Sequence, residues 1–229
     1  MSRYDLMHRY AAIKQTITKH ALACKRDPQE ISLVVASKMQ PPAVLLQLYA
    51  QGVRHFGESR LQSALPKIEA LPNDCKWHFF GSVQSNKIGN IIKNFCLVHA
   101  IDSLKLAEQI SMRSQMQGIV TPILLQVKTY DEDNKHGLNC QTWQDILPLV
   151  DKLPNLEIMG LMTMAPKTND AKIIRKCFQT LYICRENWRI YMKNPQQFHH
   201  LSMGMSQDYL IAIEEGATIL RIGSAIFGM

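Results

Sequence analysis

The chain has 229 residues, of which 46% are hydrophobic and 20% are charged, and its formal net charge is +7. This composition excludes an intrinsically disordered protein, because a chain this apolar can bury a large core. No apolar run approaches the length of a membrane span, and the positive charge is spread out rather than gathered into a basic stripe. We therefore expect a globular protein with no membrane or nucleic-acid partner and a potential that favours anionic ligands.

The N-terminal segment 1–26 has apolar side chains at steps of three and four, with basic residues between them. This pattern predicts an amphipathic helix rather than a targeting signal. The six cysteines show neither CxxC nor metal-ligand spacing, and scattered free thiols are typical of a reducing compartment. We expect a cytoplasmic protein without a metal site.

After this helix, short apolar runs alternate with stretches long enough for helices. The predicted strands are 31–37, 53–56, 77–80, 97–100, 122–127, 156–161, 198–201 and 218–222. Eight strands separated by helices predict an α/β fold with a parallel sheet closed into a single TIM (β/α)8 barrel, with a doubly wound open sheet as the alternative. We expect one domain, 1–229, with no helix after the last strand and with helix 1–26 packed over that flank.

Lys38 ends the first predicted strand, where an amine does not continue the apolar pattern. In TIM barrels, functional sites form where the strands run into the following helices. An amine in a partly desolvated pocket at that end can trap a carbonyl compound. A solvated lysine at a strand end is the alternative interpretation.

The segments after predicted strands seven and eight carry small hydroxyl residues and glycines, LSMGMSQD at 201–208 and RIGSA at 221–225. These two loops commonly hold a phosphate in TIM barrels, through backbone N–H groups and hydroxyl donors. Ser206 and Asp208 would also serve as ordinary helix caps. A phosphate site on one side of the mouth and Lys38 on the other together predict a phosphorylated carbonyl ligand.

Seven blocks of the sequence resemble the signature blocks of the pyridoxal phosphate homeostasis proteins, the YggS/PROSC family, in the family's order and over essentially the whole chain. They are VASK at 35–38, HFGE at 55–58, WHFFG at 77–81, QSNK at 84–87, GLMT at 160–163, LSMGMS at 201–206 and RIGSAIFG at 221–228. The resemblance implies a fold-type III barrel, related to the N-terminal domain of alanine racemase, that carries pyridoxal 5'-phosphate (PLP).

By motif position, the resemblance implies that Lys38 forms the Schiff base and that Arg221 faces the pyridine nitrogen. The family usually has Asn at the position of Ser59, so a contact made by that amide is lost here or replaced by water. The methionines at 159, 162, 164, 203 and 205 are predicted to line the barrel interior, and Met162 could pack against a bound ring. The residues that the resemblance assigns to the phosphate are Ser202, Ser206, Gly223 and Ser224.

Arg221 bears on the chemistry, because a cationic guanidinium disfavours protonation of the ring nitrogen. An unprotonated pyridine is a poorer electron sink, so carbanion chemistry is weakly supported. The resemblance thus implies a non-enzymatic protein that holds PLP and supplies it within the cell, with PLP-accepting apoenzymes as candidate partners. No dimer helix or exposed apolar patch is readable in the sequence, so a monomer is the default expectation. A PLP-dependent amino-acid racemase or decarboxylase is the main alternative, although racemisation needs a second acid/base that alanine racemase takes from a separate domain. A Schiff-base aldolase without a cofactor is a third hypothesis.

Three other residues are interpreted from their surroundings. His78 stands among aromatic residues, which predicts a hydrogen-bonded core histidine rather than a general base. Lys87 and Lys135 follow predicted strands three and five, and their participation in cofactor transfer is left open.

Overall fold

A computed structural model describes residues 3–130 and 137–228 of the chain. Within those residues, eight parallel strands close into a barrel in chain order, with the last strand paired to the first. The predicted TIM barrel is therefore confirmed, and each predicted strand overlaps an observed one. The strands are β1 (Ser32–Ala36), β2 (His55–Glu58), β3 (Lys76–Phe79), β4 (Leu97–Ile101), β5 (Thr121–Gln126), β6 (Leu156–Met162), β7 (His200–Ser202) and β8 (Ile219–Ile222).

Helices follow the strands on the outside of the barrel. They are α1 (Arg3–Ala23), α2 (Pro42–Ala50), α3 (Leu61–Ala70), α4 (Ile88–Asn94), α5 (Leu104–Gln117), α6 (Cys140–Val150), α7 (Ala171–Arg189), α8 (Tyr209–Glu214) and α9 (Ser224–Phe227). Helix α9 is a single turn after the last strand, where the sequence predicted no helix. It ends at Gly228, whose left-handed conformation is one that glycine adopts without strain.

Helix α1, which the amphipathic pattern predicted, lies on the flank of the barrel beside the last strand. It contacts α8 and α9 and buries Leu6, Tyr10, Ile13 and Ile17, while the residues between them stay largely exposed. No helix among the described residues is both long and apolar enough to cross a membrane.

Side chains of successive strand residues point alternately into the barrel and outward onto the helices. The outward side chains form the large core between sheet and helices, and a smaller apolar cluster fills the inside, made by Val34, Leu97, Ala100, Leu124, Met162 and Ile219. Met159 packs against this inner cluster. The prediction for the other methionines was wrong: Met203 belongs to the outer core, and Met164 and Met205 lie exposed beyond the ends of their strands.

The inside of the barrel also contains polar side chains. His78, His99, Ser202 and Arg221 are all buried, and each makes hydrogen bonds to other interior groups. The prediction that His78 is a hydrogen-bonded core histidine is confirmed.

Candidate functional site

The carboxyl ends of the strands open into a cavity of about 410 Å³. Its walls come from the loops after β1, β6, β7 and β8. The loop after β6, residues 165–168, forms one of these walls. Five of the eight predicted cofactor residues line this cavity: Lys38, Ser206, Arg221, Gly223 and Ser224.

Lys38 lies two residues beyond the end of β1, and its side chain is exposed at the mouth. Its Nζ stands 5.9 Å from the centroid of the Phe80 ring. The following residue, Met39, has a positive φ of 59°, so the chain turns sharply just after the lysine. The amine is therefore presented to the cavity from a fixed turn rather than from the strand itself.

The peptide before Lys38 is held by a buried polar cluster. Ser37 donates its hydroxyl hydrogen to the Glu58 carboxylate, 2.7 Å away, and its carbonyl accepts a 2.7 Å hydrogen bond from Lys67 Nζ. Lys67 also pairs with Glu58. Because Glu58 and Lys67 are both buried, these contacts hold the backbone at the base of Lys38 in one position.

Arg221 lies on β8 with its guanidinium inside the barrel, below the cavity. Nη1 donates to Ser202 Oγ at 2.6 Å, and Nη2 donates to the Thr163 carbonyl at 3.0 Å. Complete burial lowers the pKa of Arg221 to about 10, and the nearby Asp208 carboxylate opposes that shift. The side chain is therefore still a cation at neutral pH, and it faces the floor of the cavity.

The loops after β7 and β8 meet beside Lys38, because β8 pairs with β1. The expectation that they lie on the other side of the mouth from the lysine was wrong, since closure of the barrel brings the last strand next to the first. Ser206 Oγ accepts a 3.1 Å hydrogen bond from the Ala225 N–H, which joins the two loops. Gly223 passes so close to β1 that a Cβ added there would lie 2.8 Å from the Ala36 carbonyl oxygen, so a side chain would force the strand and loop apart. Ser224, at the start of α9, is exposed to the cavity. The hydroxyl groups of Ser206 and Ser224 thus line the cavity on the side next to the end of β1.

The other three predicted cofactor residues lie outside the cavity lining. Ser59 lines a smaller cavity of about 200 Å³ between the loops after β2 and β3, together with Arg60 and Lys87. Met162 is buried in the inner apolar cluster, and Ser202 is buried between His99 and Arg221. Their contacts with a cofactor stay predictions. Lys135, singled out from the sequence, lies outside the described residues.

Two polar groups of the site were missed in the sequence analysis. The Thr163 carbonyl holds Arg221, and His99 holds Ser202 from the other side at 2.8 Å. The position of His99 in the middle of an apolar strand was a signal that could have been used, because a buried polar side chain needs a partner.

The match to known proteins covers nearly the whole chain. The family model "Alanine racemase, N-terminal domain" matches residues 6–229. A pyridoxal phosphate homeostasis protein of Aquifex aeolicus is 35% identical over 221 residues, which are 96% of this chain and 96% of that protein. The chain belongs to the pyridoxal phosphate homeostasis family.

Solved structures of similar proteins agree in fold. PipY of Synechococcus elongatus, solved with PLP bound, is 32% identical, and the match covers 93% of this chain and all of that one with a TM-score of 0.82. An alanine racemase of Clostridium difficile is 12% identical with a TM-score of 0.73, covering 93% of this chain and 58% of the racemase. At that identity the racemase likeness shows the shared barrel alone.

Proposed function

We propose that this protein binds PLP in the cavity at the barrel mouth, in covalent attachment to the Lys38 amine, and serves to hold and supply the cofactor. The observation that carries the proposal is the set of groups lining one cavity: an amine, a buried guanidinium, and the hydroxyl and N–H groups of two loops. An aldehyde, a pyridine ring and a phosphate need these three kinds of partner. The family membership supports the same ligand.

Each lining group has a distinct task in this proposal. Lys38 holds the aldehyde carbon, and the fixed Ser37 peptide keeps the amine directed at the cavity. Ser206, Gly223 and Ser224 bind the phosphate, because the close approach of Gly223 to β1 leaves backbone and hydroxyl donors free of side-chain bulk. Ser59 and Met162 are kept as candidate contacts of secondary importance, and Ser202 would act on the cofactor through Arg221.

Arg221 determines which chemistry a bound PLP can support. PLP supplies an electron-sink ring when its nitrogen is protonated. Two hydrogen bonds and deep burial hold the Arg221 cation in place, and a cation at the ring nitrogen opposes that protonation. We therefore propose that the protein stores and delivers PLP and does not turn over amino acids.

The site assignment is tested by reduction of the PLP-loaded protein with borohydride and peptide mapping. We expect an absorption band from the bound cofactor and a pyridoxyl label on Lys38, both lost in Lys38→Ala. Lys167 also lines the cavity, so Lys167→Ala is the matched control and should keep the label on Lys38. A label on another lysine in the unmodified chain would contradict the assignment.

The proposal of supply rather than catalysis has its own test. Loaded protein is mixed with an apoenzyme that requires PLP, and the apoenzyme should gain activity faster than when it is left to scavenge free PLP. Sustained conversion of any amino acid by the loaded protein, abolished in Lys38→Ala, would instead establish a racemase or decarboxylase. We also propose a monomer in the cytoplasm, which light scattering and cell fractionation would check.

A further inference from the structure

Three histidines lie inside the barrel on neighbouring strands, each nearer to the mouth than the one before. His55 is on β2, His78 on β3 and His99 on β4. In the sheet register Gly57 pairs with His78, and His78 pairs with Leu97, so each histidine stands two residues further along its strand than the one before. This offset follows the stagger of a closed barrel, and it carries the side chains from the amino end of the strands toward the mouth.

The three imidazoles form a continuous hydrogen-bonded chain. His55 Nδ1 lies 2.9 Å from His78 Nε2, and His78 Nδ1 lies 3.0 Å from His99 Nε2. His99 Nδ1 then lies 2.8 Å from Ser202 Oγ, which accepts from Arg221. This hydrogen-bonded chain therefore runs from the amino end of the barrel strands to the Arg221 guanidinium beneath the cavity.

Arg221 sets the direction of every bond in this chain. A guanidinium can only donate, so Ser202 Oγ accepts from it. The Ser202 hydroxyl is buried, and His99 Nδ1 is the acceptor that the described residues offer to its hydrogen, so Ser202 donates to His99. A neutral His99 then carries its proton on Nε2 and donates to His78 Nδ1. By the same step, His78 donates from Nε2 to His55 Nδ1. This polarity, which gives the buried Ser202 hydrogen an acceptor, makes all three imidazoles Nε2–H tautomers.

The surroundings keep the imidazoles neutral. Burial lowers the pKa of His78 to about 3 and holds the pKa of His99 well below its usual range, and burial also lowers the pKa of His55. The charged or titratable groups that act on the chain are Lys76 near His55, His200 near His78 and His99, and Arg221 near His99, with Asp208 acting on Arg221 itself. At the far end, His55 lines a separate cavity of about 390 Å³ beside α1.

We propose that His99, His78 and His55 are positioning residues that hold Arg221 in place through Ser202. The inference rests on the proposed role of Arg221 at the ring nitrogen. With His99 as a fixed acceptor, the Ser202 hydroxyl has one orientation and offers its lone pairs to the guanidinium, and successive bonds of one polarity strengthen each other. If the chain is broken, Ser202 can rotate, and Arg221 loses its fixed partner on that side.

The first test examines the protein without cofactor, so it does not depend on PLP binding. Long-range proton–nitrogen-15 correlation spectra assign the tautomer of each histidine. We expect Nε2–H tautomers for His55, His78 and His99, unchanged across neutral pH. A protonated Nδ1 on either His78 or His99 would overturn the proposal, whatever the cofactor chemistry proves to be.

The second test breaks the hydrogen-bonded chain at His78, a residue that does not contact Arg221. His78 makes its hydrogen bonds to His55 and His99 and is separated from Arg221 by His99 and Ser202. We expect His78→Phe to shift the pH titration of the bound cofactor's absorption and to weaken PLP binding about tenfold, the size of coupling seen in side-chain networks. His78→Gln, which can both accept and donate, should restore most of the affinity.

His200→Phe is the matched control, because His200 is a partly buried histidine inside the barrel whose hydrogen bond goes to Thr218 and not to any of the three histidines. It should lower thermal stability about as much as His78→Phe while leaving the cofactor titration unchanged. If His78→Phe leaves the titration unchanged, or if both variants shift it equally, the positioning role is contradicted. A lost borohydride label on Lys38 in the unmodified protein would instead count against the proposed function.

Discussion

Lys67 and Glu58 form an ion pair that is almost completely removed from water, with 6% and 1% of their side chains exposed. Such a pair adds little net stability while intact, but removal of one partner leaves a buried charge without compensation. Because the pair also binds Ser37, its integrity bears directly on the position of Lys38.

We predict that Lys67→Met lowers the free energy of unfolding by about 3 kcal/mol, since the Glu58 carboxylate would remain buried and unpaired. Urea denaturation measures the loss. Lys105→Met, at an exposed position of α5, is the control and should change stability by less than about 0.5 kcal/mol. Equal effects of the two substitutions would show that the buried pair is not maintained in solution.

Arg221→Glu replaces the cation below the cavity by an anion. We predict that it raises the pKa of the bound ring nitrogen by about one unit or more, because a carboxylate stabilises the protonated ring where a guanidinium opposes it. The pH dependence of the cofactor's absorption measures this. Arg221→Lys keeps a cation and should leave the pKa low; an identical titration in the glutamate variant would place Arg221 away from the ring.

Helix α9 and the loop before α8 meet through one hydrogen bond, from the Ala225 N–H to Ser206 Oγ. Both segments leave the barrel at neighbouring strands, so the contact fixes the cavity wall beside β1 and Lys38. Since α1 packs against α8 and α9, the N-terminal helix supports this wall from outside.

For this wall we predict that Ser206→Ala weakens binding of PLP about tenfold, the loss expected for one hydrogen bond to a charged group. Binding of pyridoxal, which has no phosphate, should be nearly unchanged. Fluorescence titration with both ligands separates the two effects. An equal loss for pyridoxal would mean that Ser206 acts on the shape of the cavity rather than on the phosphate.

The strands were predictable because each one contains a short apolar run, which is a local property of the sequence. Strand β7 shows the limit of that reasoning: it was predicted at 198–201 and observed at His200–Ser202. Phe198 is buried, but it precedes the first residue of the strand. An apolar residue outside the strand was therefore included in the predicted one. The short helix α9 escaped prediction because a single turn carries no periodic signal.

The buried histidines inside the barrel make the free energy of unfolding depend on pH. Burial lowers the pKa of His78 to about 3 and that of His200 to about 4, and holds the pKa of His99 well below its usual range. In the unfolded chain a histidine titrates near about 6.5. Below that pH the unfolded state binds more protons, so stability is complete above pH ~6.5 and is lost as pH falls toward these lowered values.

We predict that the free energy of unfolding falls between about pH 6.5 and pH 4.5, with a slope of up to about 1.4 kcal/mol per pH unit for each buried histidine. Denaturation at a series of pH values measures the slope. His78→Phe should make it shallower, because one titrating group is removed. A stability that stays flat over this range would mean that the imidazoles are accessible to protons in the folded state.

The amino-acid order was enough to predict the barrel and the N-terminal helix, because apolar runs and helical spacing are local properties. It also singled out five residues that line one cavity, because glycine and hydroxyl residues at strand ends are visible in the sequence. It did not reveal that Ser202 lies beneath Arg221 or that His55, His78 and His99 touch. Those contacts join strands separated by many residues, and they exist because the stagger of the closed barrel brings offset positions into line. Local pattern determines which side chains point inward; closure of the sheet determines which of them meet.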